Sequence, residues 1–314
     1  MGASKPTIVD VAQAAGVAVG TASNALSGKG RVSGATRARV AKAAAELAYV
    51  PNRGASGLPT GKSMAIGIRF GHDSTIPGGA FFIEVLDAAA EAADKAGYGL
   101  LIRRSGRPLG EQVDAEIVVD PTENDDLVSA NAVPVISIGR NEQPSVPWVD
   151  VDHRAVMSTL LDHLADLASG EGGAWFVTLP QRLGFVEALE DSFREWCAEH
   201  DRTAGVLEIP DASEEVVEIV LREIENRGSP ALIVTALDRQ AVGVRHALAA
   251  AGLDAPVGSA SDGVVLGLLD PPVSAMSLDG AAHGETAVRM VLDWIRTGEA
   301  PGNVLLPARL RIRS

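Results

Sequence analysis

TIVDVAQAAGVAVGTASNAL, residues 7–26, is the stretch on which the reading of this chain turns; RVSGATRARV follows at 31–40 and LAYVPN at 47–52. Two short helices are expected on either side of the turn Ala14-Ala15-Gly16-Val17, and a third after Arg31. Ile8, Val11, Ala12 and Ala15 recur at helical spacing, as do Val17, Ala22 and Leu26, then Val40, Ala44 and Leu47, so each helix has one apolar face. Thr7 followed by Asp10 has the spacing of a capping box. Two helices across a glycine-containing turn are the sequence form of a helix-turn-helix, whose second helix enters the DNA major groove.

Charge agrees with a nucleic-acid partner for this segment alone. Residues 1–63 carry eight Lys/Arg and two acids, a net of +6, against −14 for the whole chain, so the remainder carries −20. A basic head on an acidic body is expected where only the head meets phosphate. The rest of the composition is that of a globular protein of 314 residues, 46% hydrophobic and 22% charged. Its single cysteine, Cys197, excludes an internal disulfide, lies in a helical pattern and reads as a packed residue. No apolar run approaches the ~18 residues of a membrane span, and the N-terminus lacks the apolar core of a signal peptide. The expected location is therefore the cytoplasm.

Three segments are expected: a head at 1–50, a Gly/Pro/Ser-rich connector at 51–63, and a body at 64–314. In the body, short apolar runs alternate with amphipathic stretches. Strands are expected at 64–70, 100–103, 116–119, 133–138, 175–178, 206–209, 232–234 and near Val257. Helices are expected at 81–96, 154–168, 185–200, 214–226, 239–251 and 284–296, several followed by glycine. The fold class is thus α/β: an all-α helix-turn-helix head plus two doubly wound α/β lobes. The six histidines show no metal-site spacing, and the body has no G-x-S-x-G, P-loop or G-x-G-x-x-G after its first strand, so no catalysis, metal or cofactor is expected.

These residues resemble the lactose-repressor (LacI/GalR) family of bacterial transcription regulators. The resemblance runs through T-I-x-D-V-A-x-x-A-G-V-x-x-x-T-x-S-x-x-L from Thr7, R-V-S-x-x-T-R-x-R-V from Arg31 and L-x-Y-x-P-N from Leu47. It continues in the body with the Phe81–Tyr98 helix, Val149-Asp150-Val151-Asp152, the run ending at Asp238, Ser261-Asp262 and Pro271-Pro272-Val273. It implies a body of periplasmic-binding-protein type, with crossovers between the lobes near 152, 277 and 303. It also implies a ligand-responsive regulator, a repressor in this reading, binding a palindromic operator as a homodimer.

By the same resemblance Val19, Gly20 and Asn24 face base edges, with Asn24 able to pair with adenine through its carboxamide. Thr21 and Ser23 would position the head on phosphates, with Thr7 and Arg31 also at the DNA. Leu58 corresponds to a minor-groove wedge in a hinge helix formed on DNA. The effector, a sugar or sugar derivative, would be clamped by Asp73, Phe82 and Arg140 of the first lobe, Asp152 near the crossover, and Arg182, Asp238 and Asp262 of the second.

This chain departs from the family pattern at several points. Ala18 stands where a serine usually caps the recognition helix, a loss on the order of 1 kcal/mol. Gly54, Gly57 and Pro59 oppose a hinge helix and leave a plain flexible linker open. Arg182 precedes Gly184-Phe185 by one residue fewer than in relatives. Between Ile102 and Ala115 the first lobe lacks about twenty residues that normally form a helix. A regulator of the same fold whose trimmed body senses no ligand is therefore an alternative. A transport-associated solute-binding protein would need a secretory signal in place of the head.

Overall fold

The computed structural model describes residues 6–27, 30–49, 62–71, 79–104, 108–109, 112–127, 133–169, 172–209 and 213–313. The chain divides into two compact units, Met1–Lys62 and Ser63–Ser314.

The first unit packs α1 (Ile8–Ala15), α2 (Val19–Ser27) and α3 (Gly34–Glu46) around a core of Val11, Ala12, Ala15, Ala22, Ala25 and Val40, with Ala43 and Ala44 beside them. The small side chains let three short helices approach closely, and Ile8, Val17, Leu26 and Leu47 close the edges. Thr7 caps α1 in both directions. Its Oγ1 accepts the Asp10 N–H at 3.4 Å, while the Asp10 carboxylate accepts the Thr7 N–H at 2.7 Å. The backbone hydrogen bond from Thr7, then that from its hydroxyl, hold the Asp10 carboxyl below the usual range. The turn after α1 needs a left-handed residue, and Gly16 supplies it at φ 62°. Arg39 Nε donates to the Ala15 carbonyl at 2.9 Å, placing a cation from α3 at the negative end of α1.

The second unit holds two six-stranded sheets. The strands are β1 (Ala65–Phe70), β2 (Gly99–Arg103), β3 (Ala115–Val119), β4 (Val135–Ile138), β5 (Trp148–Val151), β6 (Ala174–Thr178), β7 (Ala204–Glu208), β8 (Leu232–Thr235), β9 (Val257–Ser259), β10 (Ser274–Ser277), β11 (Val304–Leu306) and β12 (Arg309–Arg311). The first sheet runs β11-β5-β4-β3-β1-β2, all parallel. The second runs β12-β10-β9-β8-β6-β7, parallel except for β12. The helices are α4 (Ala80–Lys95), α5 (His153–Leu167), α6 (Gly184–Glu199), α7 (Ser213–Arg227), α8 (Asp238–Ala251) and α9 (Gly280–Thr297). The chain passes from the first sheet to the second after β5, returns in α9, and crosses again between β11 and β12.

The second lobe is wound on both faces, as apolar alternation within β6 shows. Phe176 joins the core under α5 and α6, while Trp175 and Val177 join the core under α7 and α8. Cys197 lies in the former core, and burial pushes its thiol up to about 11.

In the first lobe α4 and α9 cover one face together. They touch through glycine, because a Cβ at Gly280 or Gly284 would overlap the Phe81 or Val85 carbonyl oxygen. Among the described residues no helix covers the other face. Leu127, Val146 and Val118 close it, along with a buried ion cluster. Arg69 of β1 is fully buried, with Nε 3.2 Å from Glu116 and Nη1 3.0 Å from Asp125. Glu116 also accepts the Leu109 N–H at 2.9 Å. Loop and sheet are thus joined by charge where relatives are expected to place a helix.

Candidate functional site

The outer face of α2 is the candidate DNA surface. Its inner face is spent on Ala22 and Ala25, which leaves Val19, Gly20, Ser23 and Asn24 exposed and Thr21 half-buried. Val19 is 44% exposed, an apolar side chain left in solvent on a helix of only nine residues. Asn24 lies against the left-handed turn at Gly30, where a Cβ would sit 3.2 Å from its Nδ2. Arg31 is exposed just beyond. The Thr7 hydroxyl is committed to the α1 cap, and Ala18 offers the start of α2 only its carbonyl, which accepts the Ala22 N–H at 2.9 Å. Leu58 and most of the connector lie outside the described residues.

The second candidate site is the cleft between the two lobes of the body, about 750 Å³ including its open mouth. It lies at the carboxyl ends of parallel strands from both sheets, where open α/β sheets bind ligands. From the first lobe come Phe81 and Phe82 of α4, Asp120 after β3, Ile138 and Gly139 at the end of β4, and Asp150 of β5. From the second come Phe185 and Leu189 of α6, Leu237, Asp238 and Arg239 at the start of α8, and Ser261. His153 and His283 lie at the crossovers.

Aromatic rings form much of the wall. Phe82 meets Phe70 edge-on at 5.6 Å and Phe81 at 5.7 Å, while Phe81 meets the His283 ring at 5.1 Å. Asp150 is fully engaged. It accepts from His153 Nε2 at 3.0 Å, from the Val151 N–H at 2.8 Å and from the Arg140 N–H at 3.3 Å. Burial pushes its carboxyl up, but the hydrogen bond and charge of His153, the Val151 N–H and His283 together bring it below the usual range. Burial pulls His283 below the usual range, and its Nδ1 is hydrogen-bonded to the Asp279 carbonyl at 2.9 Å. Asp120 is different. Among the described residues no donor reaches its carboxylate, and burial, then the charge of Asp150, pushes it up to about 7.

The body residues expected at the effector are only partly brought together. Phe82 and Asp238 line the cleft, and Asp238 accepts the Arg239 N–H at 2.9 Å. Gly263 makes room for Asp238, whose carboxylate a Cβ there would overlap. Asp152 instead caps α5, accepting the Ala155 N–H at 3.1 Å. Asp262 is held by Arg313 at 2.6 Å and Arg311 at 2.9 Å, outside the cleft. Arg182 pairs with Glu187 at 3.3 Å in a separate groove. Arg140 lines that same groove, over Trp148 at 5.1 Å. Asp73 lies outside the described residues. Sequence reasoning did not single out Asp120, Phe81, Phe185 or His283. Asp120 follows an apolar run and precedes a proline, which reads equally as a strand end.

The family described as bacterial regulatory proteins, lacI family, matches residues 7–52, and a periplasmic binding protein-like domain matches residues 176–314. The lacI-family match thus covers the head, and the periplasmic-binding-protein match covers the second lobe through to the C-terminal strand. The maltose regulon regulatory protein MalI of Escherichia coli is 34% identical over 178 residues, 52% of this chain and 51% of that protein. The match thus spans about half the length of that relative. Among solved structures, the lac repressor dimer bound to operator and an anti-inducer superposes with a TM-score of 0.82 at 21% identity, covering 99% of this chain and 98% of that one. A complex of the regulator CelR with cellobiose gives 0.71 at 20% identity, covering 98% and 99%. Both share with this chain the fold of the head and of the two lobes. Among the described residues no helix is long and apolar enough to cross a membrane.

Proposed function

We propose that this chain is a DNA-binding transcription regulator, acting as a repressor and not as an enzyme, whose interlobe cleft binds a small-molecule effector. One observation carries the reading: α2 buries Ala22 and Ala25 and leaves Val19, Gly20, Ser23 and Asn24 outward, on a head with a net charge of +6. That is a helix with one face for the protein and one for base edges. Val264, 83% exposed, and Leu268, 80% exposed, are apolar side chains in solvent and favour a second copy of the chain as partner. A homodimer matches a palindromic operator, because protein two-fold symmetry is mirrored in the DNA. Leu58 is the wedge candidate for the central base step. The names of MalI and of the cellobiose-bound CelR support an effector of carbohydrate type. Effector and operator then alter each other's affinity by the same factor.

Selection of DNA from a random pool with the full chain tests this. A palindrome should be enriched, with affinity falling steeply as salt rises. A pool without any palindrome, in the presence and absence of a metabolite extract, would refute it.

A further inference from the structure

We propose that the effector carries a basic nitrogen, and that the cleft holds this cation with Asp120 as its counter-ion and the phenylalanine rings around it. The inference rests on the reading of the cleft as the effector site and adds the chemical class of its occupant.

The position of Asp120 is strongly determined. It follows β3 in the left-handed region, φ 47°, with its N–H donated to the Ile138 carbonyl at 2.9 Å. Glycine surrounds it on both sides. A Cβ at Gly71 would overlap the Asp120 carbonyl, and one at Gly139 would sit 3.4 Å from Oδ1. Strand order brings β1, β3 and β4 side by side, so both glycines flank this one residue. The result is a half-buried carboxylate that opens on the cavity with no donor among the described residues. A charge so placed is unfavourable until a partner arrives.

The surroundings select the sign of that partner. Asp150 repels a second anion, and its own hydrogen bonds are already filled by His153 and backbone. Arg239 is the guanidinium on the cleft wall among the described residues, with Asp238 beside it. Two helix ends beside the lobes carry their own carboxylate. Asp152 occupies the amino end of α5 and Asp279 that of α9, each accepting a backbone N–H. Phe81, Phe82 and Phe185 complete a lining in which an ammonium gains from ring faces and a hydrocarbon body gains from burial. A neutral polyol would instead want several free carboxylates. Of the carboxylates expected for that task, Asp152 and Asp262 are spent on a helix cap and on two arginines outside the cavity, which leaves Asp238 at the cleft among the described residues.

Matched pairs of probes that differ only in charge test the inference: benzylamine against benzyl alcohol, and glucosamine against glucose. Each is titrated into the full chain by calorimetry and thermal shift. The ammonium member of at least one pair should bind tenfold or more tighter than its neutral partner. D120N should reduce that preference to within about twofold while leaving the melting temperature of the free protein equal or higher. Equal binding of charged and neutral partners, or an ammonium preference that survives D120N, overturns the proposal. A cleft-filling variant, Ser261→Trp, separates the two readings. Neutral sugar binding that is lost in S261W keeps the effector site and rejects the basic nitrogen. Absence of all binding, unchanged by S261W, rejects both.

Discussion

Replacing Asp120 by asparagine should stabilise the protein without ligand, and the gain should depend on pH. The carboxyl is raised from 3.8 to about 7 in the folded chain, first by burial and then by Asp150. Between those values the folded protein binds more protons than the unfolded chain, so stability falls as pH rises through that window. The penalty is absent below about pH 4 and complete above pH 7. Three pKa units correspond to an upper bound of about 4 kcal/mol. Asp120 opens on the cleft, and water there screens it, so about 1–2 kcal/mol is the expected penalty. Asparagine keeps the shape, tolerates the left-handed backbone and carries no charge. For a body of this size that corresponds to a melting temperature about 2–6 °C higher in D120N at pH 8, shrinking toward zero at pH 4. Differential scanning fluorimetry of both proteins across pH 4–8.5 measures the gap. A D120N protein less stable than its parent at pH 8, or a gap flat with pH, would show that the carboxylate has a partner in the free protein.

Three further outcomes follow from the same geometry. Asn24→Ala should relax preference at one symmetric position of the selected palindrome, by about 1–3 kcal/mol per half-site, while a thermal melt of the head is unchanged. Arg69→Met should cost about 3–5 kcal/mol in urea unfolding of the body, because Glu116 and Asp125 would remain buried without their shared cation. Gly284→Ala should destabilise by about 1–3 kcal/mol or more, since its Cβ meets the Val85 backbone, where no side chain can yield. A neutral result at Gly284 would mean that α4 and α9 can separate freely.

The head and the alternation of the body were legible in the chain itself. Local signals decide them: Thr7 and Asp10 lie three residues apart, Gly16 must supply a positive φ, and the small apolar residues of α1–α3 recur at helical period. Strands β1, β3, β6 and β8 were readable because apolar runs covered on both faces need no partner to be recognised. Strands β5, β10, β11 and β12 were not, being three or four residues long and defined by the neighbours they pair with.

The cleft was less legible, for a reason visible in one pair of residues. Asp150 and Asp152 are two apart, and a continued strand would put both on one face. The strand ends at Val151, so Asp150 stays at the cavity while Asp152 turns away to cap α5. Asp238 and Asp262 divide in the same way, one at the cavity and one drawn off by Arg311 and Arg313 from the C-terminal strand. Sequence by itself determined most helices and the longer strands, and that a helix-turn-helix head precedes an α/β body, because periodicity and caps act over a few residues. Which carboxylate is left facing the cavity was decided only by tertiary structure. Each acid is claimed by the nearest donor in space, and those donors come from elements up to 51 residues away along the chain.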